Sequence, residues 1–294
     1  MHLLHKHRRI GFTVAAGIWM LSGSTALVRE VGQAAPSQGG RPFTRFHHVH
    51  INTVDPEASI KFYSAAFNEK KAKFAGTNAV RSANGWLLFT KVADALPVTA
   101  AAGFWHIGWG PADIKAYSDR LIKMGTPFQT PLTDMRKFID PRQRYYAYVE
   151  GPGKEQIELF AESGSDQFEH LHMRASDPAA SIQWYLKYFV PPGQSNERPI
   201  TPTTVGPPLW IDDIAFRWFR PAGGAAVDAS RGHVFDHFAF AVDNLEAALA
   251  RFQKDGVKVV EAPHTIFGGK VKSAFIADPD GVPVELVEDH TTTR

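Results

Sequence analysis

The 294-residue chain contains no cysteine. That removes disulfides, thiolate nucleophiles and every sulfur-ligated metal site. It leaves the compartment open, because exported domains also fold without disulfides. Charge of one sign is missing as well. With 32 Lys and Arg against 30 Asp and Glu, the formal net charge is +2. The signs are interspersed, and no basic stripe of the kind that tracks nucleic acid is present. No strand is followed by a GxGxxG loop and a helix. The glycines around Gly151 and Gly281 fit turns rather than a dinucleotide cradle. What remains is an ordinary globular composition, 44% apolar and 21% charged, long enough for two domains with their own cores; one larger domain is the alternative.

The first 40 residues follow another logic. "MHLLHKHRR" is basic, with Lys6, Arg8 and Arg9; Ile10 to Val28 is apolar; Gly32 to Gly40 is small and turn-forming. That order reads as a signal peptide over residues 1–35, followed by a linker over 36–42, with cleavage after Ala26, Ala34 or Ala35. The Arg8-Arg9 pair is compatible with twin-arginine export. The expectation is an exported, periplasmic or extracellular protein. An uncleaved anchor over residues 10–28 is the alternative, and the one route to a membrane partner.

Beyond residue 43 the chain repeats itself. "FHHVHINTVDPEASIKFY" (Phe46 to Tyr63) and "FEHLHMRASDPAASIQWY" (Phe168 to Tyr185) align from His48 and His170. A looser pair starts at Trp105 and Asp236. Each of the four segments reads as a strand, a helix and three short strands. Asp55 and Asp177 suit helix N-caps, Pro56 and Pro178 the first helical position, and Gly125 and Gly256 helix stops. The fold class is α+β: four tandem βαβββ modules forming two curved-sheet domains, residues 43–162 and 166–289, joined through "ESGSDQ". Pro191 to Pro208 reads as a long loop inside the third module.

Strand alternation then sorts the side chains. Val49 and Ile51, Leu171 and Met173, Ile107 and Trp109, and Phe238 and Phe240 face the helices. His48, His170, His106 and His237 face away. On the last strands Ile157 and Leu159 bracket Glu158, and Val284 and Leu286 bracket Glu285. Pairing modules within each half gathers His48, His106 and Glu158 in one site and His170, His237 and Glu285 in another. Two imidazoles and a carboxylate suit one divalent Fe, Mn, Ni or Zn ion per active domain, with positions open to substrate. His50 and His172 lie two residues on, on the same face, as a general base or as polar lining. Parity places His47 on the packing face. Trp105, Trp109, Trp184 and Trp218 are expected in the core. The basic run Asp134 to Tyr146 is either an anion clamp or a solvated loop.

The two H-x-H-x-x-x-x-D-P openings, "WHIGWG", "YAYVEGPGKEQIELF" and "IADPDGVPVELVE" resemble the vicinal oxygen chelate superfamily over residues 43 to 289. That superfamily includes glyoxalase I, fosfomycin-resistance transferases, extradiol dioxygenases, methylmalonyl-CoA epimerase and bleomycin-resistance proteins. The resemblance implies the same six metal ligands. It also implies an enzyme that chelates the vicinal oxygens of a small oxygenated substrate, with glyoxalase-like lyase or isomerase chemistry, or dioxygenase chemistry. A metal-free sequestration protein of the bleomycin-resistance type is the alternative. Two departures stand out. Glyoxalase I takes a fourth ligand, a carboxylate, from the final strand of the first module in a pair; here "WLLFTKV" and "IAFRWFR" carry no acid. Extradiol dioxygenases need a His and a Tyr ahead of the final Glu. In the second half Phe275 holds the Tyr position; in the first half Tyr148 fits but no matching His precedes it.

Overall fold

The computed structural model of the protein describes residues 44–94, 97–135, 145–160, 164–191 and 208–289. The expected signal segment and linker, the basic run over 136–144 and the loop over 192–207 lie outside them. The first module is β1 (Thr44–Thr53), α1 (Pro56–Ala66), β2 (Lys70–Phe74), β3 (Thr77–Ser82) and β4 (Gly85–Lys91). The second is β5 (Phe104–Trp109), α2 (Ile114–Lys123), β6 (Phe128–Asp134), β7 (Tyr145–Glu150) and β8 (Gln156–Leu159). The third is β9 (Phe168–Arg174), α3 (Pro178–Phe189), β10 (Leu209–Ile211) and β11 (Ile214–Phe219). The fourth is β12 (Phe235–Val242), α4 (Leu245–Lys254), β13 (Val259–Ile266), β14 (Val271–Ala277) and β15 (Pro283–Asp289).

Local chemistry sets the helix ends. The Asp55 carboxylate accepts from the Ala58 amide at 3.0 Å, and Asp177 accepts from Ala179 at 3.1 Å and Ala180 at 3.4 Å. Each satisfies amides that the first turn leaves unpaired, and Pro56 and Pro178 follow where no N–H is needed. After α2 and α4 the chain turns through Gly125 at φ +75° and Gly256 at φ +77°, a conformation a Cβ disfavours.

The sheets do not follow the halves of the sequence. The first runs β13-β14-β15-β12-β1-β4-β3-β2 and joins modules one and four. The second runs β10-β11-β9-β5-β8-β7-β6 and joins modules two and three. Each is closed at its centre by an antiparallel pair, β1 with β12 and β5 with β9. Pairing within each half is therefore corrected to pairing across the halves. Strand alternation is satisfied by either partner, so side-chain pattern alone does not choose. Connection length does bear on the choice. Segment 160–167, which keeps β8 and β9 in one sheet, is shorter than 92–103 and 220–234, which pass from one sheet to the other.

One apolar core fills the space between the sheets. It takes Val49, Ile51, Phe238, Phe240 and Leu286 from the first sheet and Ile107, Trp109, Ile157, Leu171 and Phe216 from the second, all fully buried. The helices bridge it. Phe67, just past α1, stacks on Trp109 with ring centroids 4.1 Å apart, and Phe189 of α3 stacks on Phe240 at 4.0 Å. Such aromatic contacts bury large apolar areas and fix relative orientation.

Four β-bulges interrupt the central pairs, and each falls immediately before a histidine. Phe46 pairs with Phe240 and His48 with Ala239, leaving His47 extra; His50 pairs with His237 and Ile51 with Phe235, leaving Asp236 extra. In the second sheet Trp105 and Glu169 are the extra residues, ahead of His106 and His170. A bulge adds a residue without a partner and re-aims its side chain. Two expectations are corrected for this reason. His47 joins the face of His48 rather than the packing face, and their Nδ1 atoms lie 2.7 Å apart. Trp105 leaves the core, lies half-buried and packs its ring 4.4 Å from that of His106. Trp109 and Trp218 are buried as expected, while Trp184 is half-buried at the core's edge.

Two buried acid–tyrosine pairs tie each helix of an odd-numbered module to the turn of the module that follows it. Tyr63 Oη donates to Glu155 at 2.8 Å, and the Gly153 amide donates to the other Glu155 oxygen at 2.7 Å. Tyr185 Oη donates to Asp278 at 3.2 Å, whose second oxygen accepts from the Asp280 and Val282 amides at 2.9 Å each. Burial pushes Glu155 up to about 7 and Asp278 up to about 7. A carboxyl whose proton affinity rises on folding adds stability below its unfolded pKa. That contribution is lost as pH climbs through the folded value. The wild-type melting temperature should therefore fall between about pH 4 and pH 7 relative to Glu155→Gln and Asp278→Asn, which keep a neutral side chain throughout. The expected separation is a few degrees, since about 1 kcal/mol moves a domain of this size by roughly 2–4 °C. Calorimetry across that range checks it, and parallel curves would refute it.

Candidate metal centres

In the second sheet, β5 contributes His106, β8 contributes Glu158, and β9 contributes both His170 and His172. One carboxylate oxygen collects them: Glu158 Oε2 lies 3.0 Å from His106 Nε2, 3.2 Å from His170 Nε2 and 3.1 Å from His172 Nδ1. The four donor atoms all lie within 4.8 Å of one another, and all four residues are buried. In the first sheet, β1 contributes His48 and His50, β12 contributes His237, and β15 contributes Glu285. Glu285 Oε2 lies 3.0 Å from both His48 Nε2 and His237 Nε2, which are 3.4 Å from each other. His50 also falls within 4.8 Å of the two other imidazoles, but its Nε2 is turned to Thr90 Oγ1 at 2.7 Å and its ring is half-buried.

The six expected ligands therefore meet, but in exchanged sets. His48 joins His237 and Glu285 rather than His106 and Glu158, and His170 joins His106 and Glu158 rather than His237 and Glu285. The exchange follows from the sheet pairing. His172, expected as a base or lining group, stands among the donors of its centre. Asp236 is absent from the sequence reading, whereas Tyr148 fits there only as the tyrosine of a dioxygenase pattern. Asp236 Oδ1 lies 2.5 Å from His237 Nδ1 and accepts from Arg231, while its Oδ2 accepts from Asn52 and the Gly232 amide. Tyr148 bonds Glu158 from the neighbouring strand. An acid directly before a donor histidine, as in "FDHF", was the available signal for Asp236. Strand alternation hid it, because only the bulge brings the two side chains to one face.

Electrostatics and space both fit a divalent cation. Burial alone would raise Glu158, but His172 beside it and the bonds from His106 and His170 outweigh that and hold the carboxyl well below its usual range. The same balance, led by His48, holds Glu285 low. Burial lowers His106 and His172, and lowers His48 to about 4, so these imidazoles are neutral and have lone pairs to give. His237 is the exception: burial pulls it down, but Asp236 and Glu285 together raise it. His106 Nδ1 and His172 Nε2 are buried without a hydrogen-bond partner among the described residues. A Cβ at Gly108 would stand 1.8 Å from His170 Nε2, so glycine there makes room for the donor. Neutral imidazoles gathered on one ionised carboxylate form a nitrogen–oxygen donor set for Zn, Fe, Mn or Ni. The strands that would carry a second carboxylate offer Leu88 beside His50 and Arg217 beside His172.

Comparison with known proteins agrees with the architecture. The family model described as Glyoxalase/Bleomycin resistance protein/Dioxygenase superfamily matches residues 45–159 and again 167–286. A lactoylglutathione lyase of Escherichia coli O157:H7 is 33% identical over 135 residues, 42% of this chain and 94% of that protein. A lactoylglutathione lyase of Schizosaccharomyces pombe is 21% identical over 299 residues, 83% of this chain and 96% of that protein. Among solved structures, glyoxalase I from Zea mays superposes with a TM-score of 0.62 at 17% identity, covering 83% of this chain and 92% of that one. A putative dioxygenase from Bacillus subtilis reaches 0.55 at 12% identity, covering 86% and 87%. Two repeats of the family's pattern thus run from residue 45 to residue 286, and the protein belongs to the Glyoxalase/Bleomycin resistance protein/Dioxygenase superfamily.

Proposed function

We propose that the chain is an exported, divalent-metal-dependent lyase or isomerase acting on a small molecule with two neighbouring oxygens, with its chemistry at the first-sheet centre. The observation that carries this reading is the meeting of His48 Nε2 and His237 Nε2 on one oxygen of Glu285, with His50 at the rim. Three donors leave positions free for substrate, and a bound ion supplies Lewis acidity to the substrate's oxygens. The chain's own residues do the rest. Ser273 Oγ fixes the second Glu285 oxygen, and Asp236 fixes the His237 ring. His50, oriented by Thr90, is the group placed to take and return a proton. Burial, then His237 and His48, lower it to about 3, so its resting ring is neutral. The relatives' name makes a lactoyl–thiol adduct the first substrate to test. Conversion of a 2-oxoaldehyde hemithioacetal to its 2-hydroxy thioester moves the C1 hydrogen to C2 and the hydroxyl proton from the C1 oxygen to the C2 oxygen, and needs no other reactant. Export is supported by the basic, apolar and small order of the first 40 residues.

Two outcomes are expected. The metal-loaded protein should convert the methylglyoxal–glutathione hemithioacetal to thioester. His50→Ala should lower kcat by roughly 10²–10⁴-fold while retaining the ion at this centre, as read by elemental mass spectrometry. Loss of the ion in that variant would make His50 a ligand instead of a base. Ligand binding without turnover by any metal form would place the chain with the sequestration proteins. Separately, N-terminal sequencing of the protein secreted by an expressing cell should begin just after Ala26, Ala34 or Ala35. An intact Met1 terminus would refute cleavage.

A further inference from the structure

The two centres repeat the same donor positions, and each packs one ring from the strand beside its glutamate on a donor histidine, Phe275 on His237 at 4.8 Å and Tyr148 on His106 at 5.2 Å, yet they differ in the fourth donor and in the bulged residues. We infer that the second-sheet centre is a closed, structural metal site of four protein ligands, while the first-sheet centre is the open, exchangeable one. The inference rests on the metal reading above. In the second sheet His172 Nδ1 completes the set at 3.1 Å from Glu158, so four donors surround one point. In the first sheet the equivalent His50 is half-buried and bonded to Thr90, leaving three. Four-ligand sites with no open position are the structural type, and three-ligand sites the catalytic type.

Among the described residues, the wall around the second-sheet centre is aromatic. Trp105 packs 4.4 Å from His106, Tyr148 5.2 Å from His106, and Phe219 5.1 Å from His172, all between ring centroids. The Arg174 guanidinium sits 4.2 Å over the Trp105 ring and pins it. A cavity of about 360 Å³ opens beside this wall, lined by Trp105, Arg174, Lys154 and Gln156 among others, but none of the four donors lines it. The indole lines that cavity and packs on the His106 ring.

The first-sheet centre is built differently behind its ligands. Its bulged residues are His47 and Asp236, where the second sheet has Glu169 and Trp105. Asp236 Oδ1 lies 2.5 Å from His237 Nδ1. His48 Nδ1 meets His47 Nδ1 at 2.7 Å, and His47 Nε2 reaches Asp289 at 3.4 Å. Carboxylates acting through the far nitrogen orient a ligating imidazole and raise its basicity, which suits a site that holds an ion on three ligands. In the second sheet the bulge before His106 delivers Trp105 instead, and His106 Nδ1 has no partner among the described residues. Asp236 is thus a positioning residue of the open centre.

The test is metal release from the full chain. Protein loaded with Zn(II) is exposed to excess EDTA, and residual zinc is followed by elemental mass spectrometry with circular dichroism as a check on folding. Two ions per chain are expected, one released at least ~10-fold faster than the other. Glu285→Gln should remove the fast ion. Glu158→Gln and Gly108→Ala should remove the slow ion and lower the melting temperature. Asp236→Ala should weaken only the fast site by ~10–100-fold, with Asp236→Glu restoring part of it, and Trp105→Ala should make the slow ion chelatable. If Glu158→Gln does not fold, the Trp105 and Asp236 variants decide. A single release rate for both ions, or loss of the fast ion in Glu158→Gln, would overturn the division while leaving the function reading standing. A wild-type chain that takes up no Zn(II) would overturn both.

Discussion

A strand places alternate residues on opposite faces, so two consecutive side chains cannot ordinarily serve one site. The four bulges at His47, Trp105, Glu169 and Asp236 lift that restriction at the four places where a donor histidine begins. Each donor thereby gains its preceding neighbour on the same face without losing the alternation that keeps Val49, Ile107, Leu171 and Phe238 in the core. The centres depend on this local irregularity. A regular ladder would still supply imidazoles, but Asp236 and His47 would be buried among aromatic rings with no partner for their polar atoms.

The second constraint is electrostatic. Each centre commits one ionised carboxylate to several imidazoles in surroundings where charge is expensive. The balance is struck by lowering the proton affinity of most rings, and at the first-sheet centre also by a second acid, Asp236, on His237. Away from the centres, the Tyr63–Glu155 and Tyr185–Asp278 pairs use the opposite solution and keep their carboxyls protonated up to about neutral pH. The same helices that carry Tyr63 and Tyr185 also carry, or lead directly into, Phe67 and Phe189, which stack onto the other sheet. The acid pairs and the aromatic core therefore hold the same geometry.

Much of this was legible in the sequence because it is written in short-range chemistry. Asp-Pro at two helix starts, glycine at two helix ends, and alternation in the residues that follow His48, His106, His170 and His237 sufficed for the modules and for six of the candidate donors. Partner choice was not legible. The apolar pattern of β1 is satisfied equally by β5 or β12, since both present alternating aromatics and a histidine in compatible register. The bulges were also invisible, because nothing in "RFHHVH" or "VFDHFAF" distinguishes an extra residue from a regular one. Trp105 and His47 were misplaced for that single reason. The double role of the H-x-H motif was half legible: both histidines share a face, but only packing decides that His172 turns toward Glu158 while His50 turns toward Thr90.

The crossing of modules between sheets carries a consequence for how such a chain arises and diverges. Neither half contains a complete centre, since each supplies an H-x-H strand to one sheet and a His strand with a Glu strand to the other. Two identical half-length chains related by a twofold axis would make the same two centres as equals. Fusion into one polypeptide breaks that equality. Residues on one strand then change without being mirrored in the other, and aspartate can precede one histidine while tryptophan precedes its counterpart. Covalent joining is thus what gives the molecule licence to keep two inherited copies of one design and put them to unlike uses.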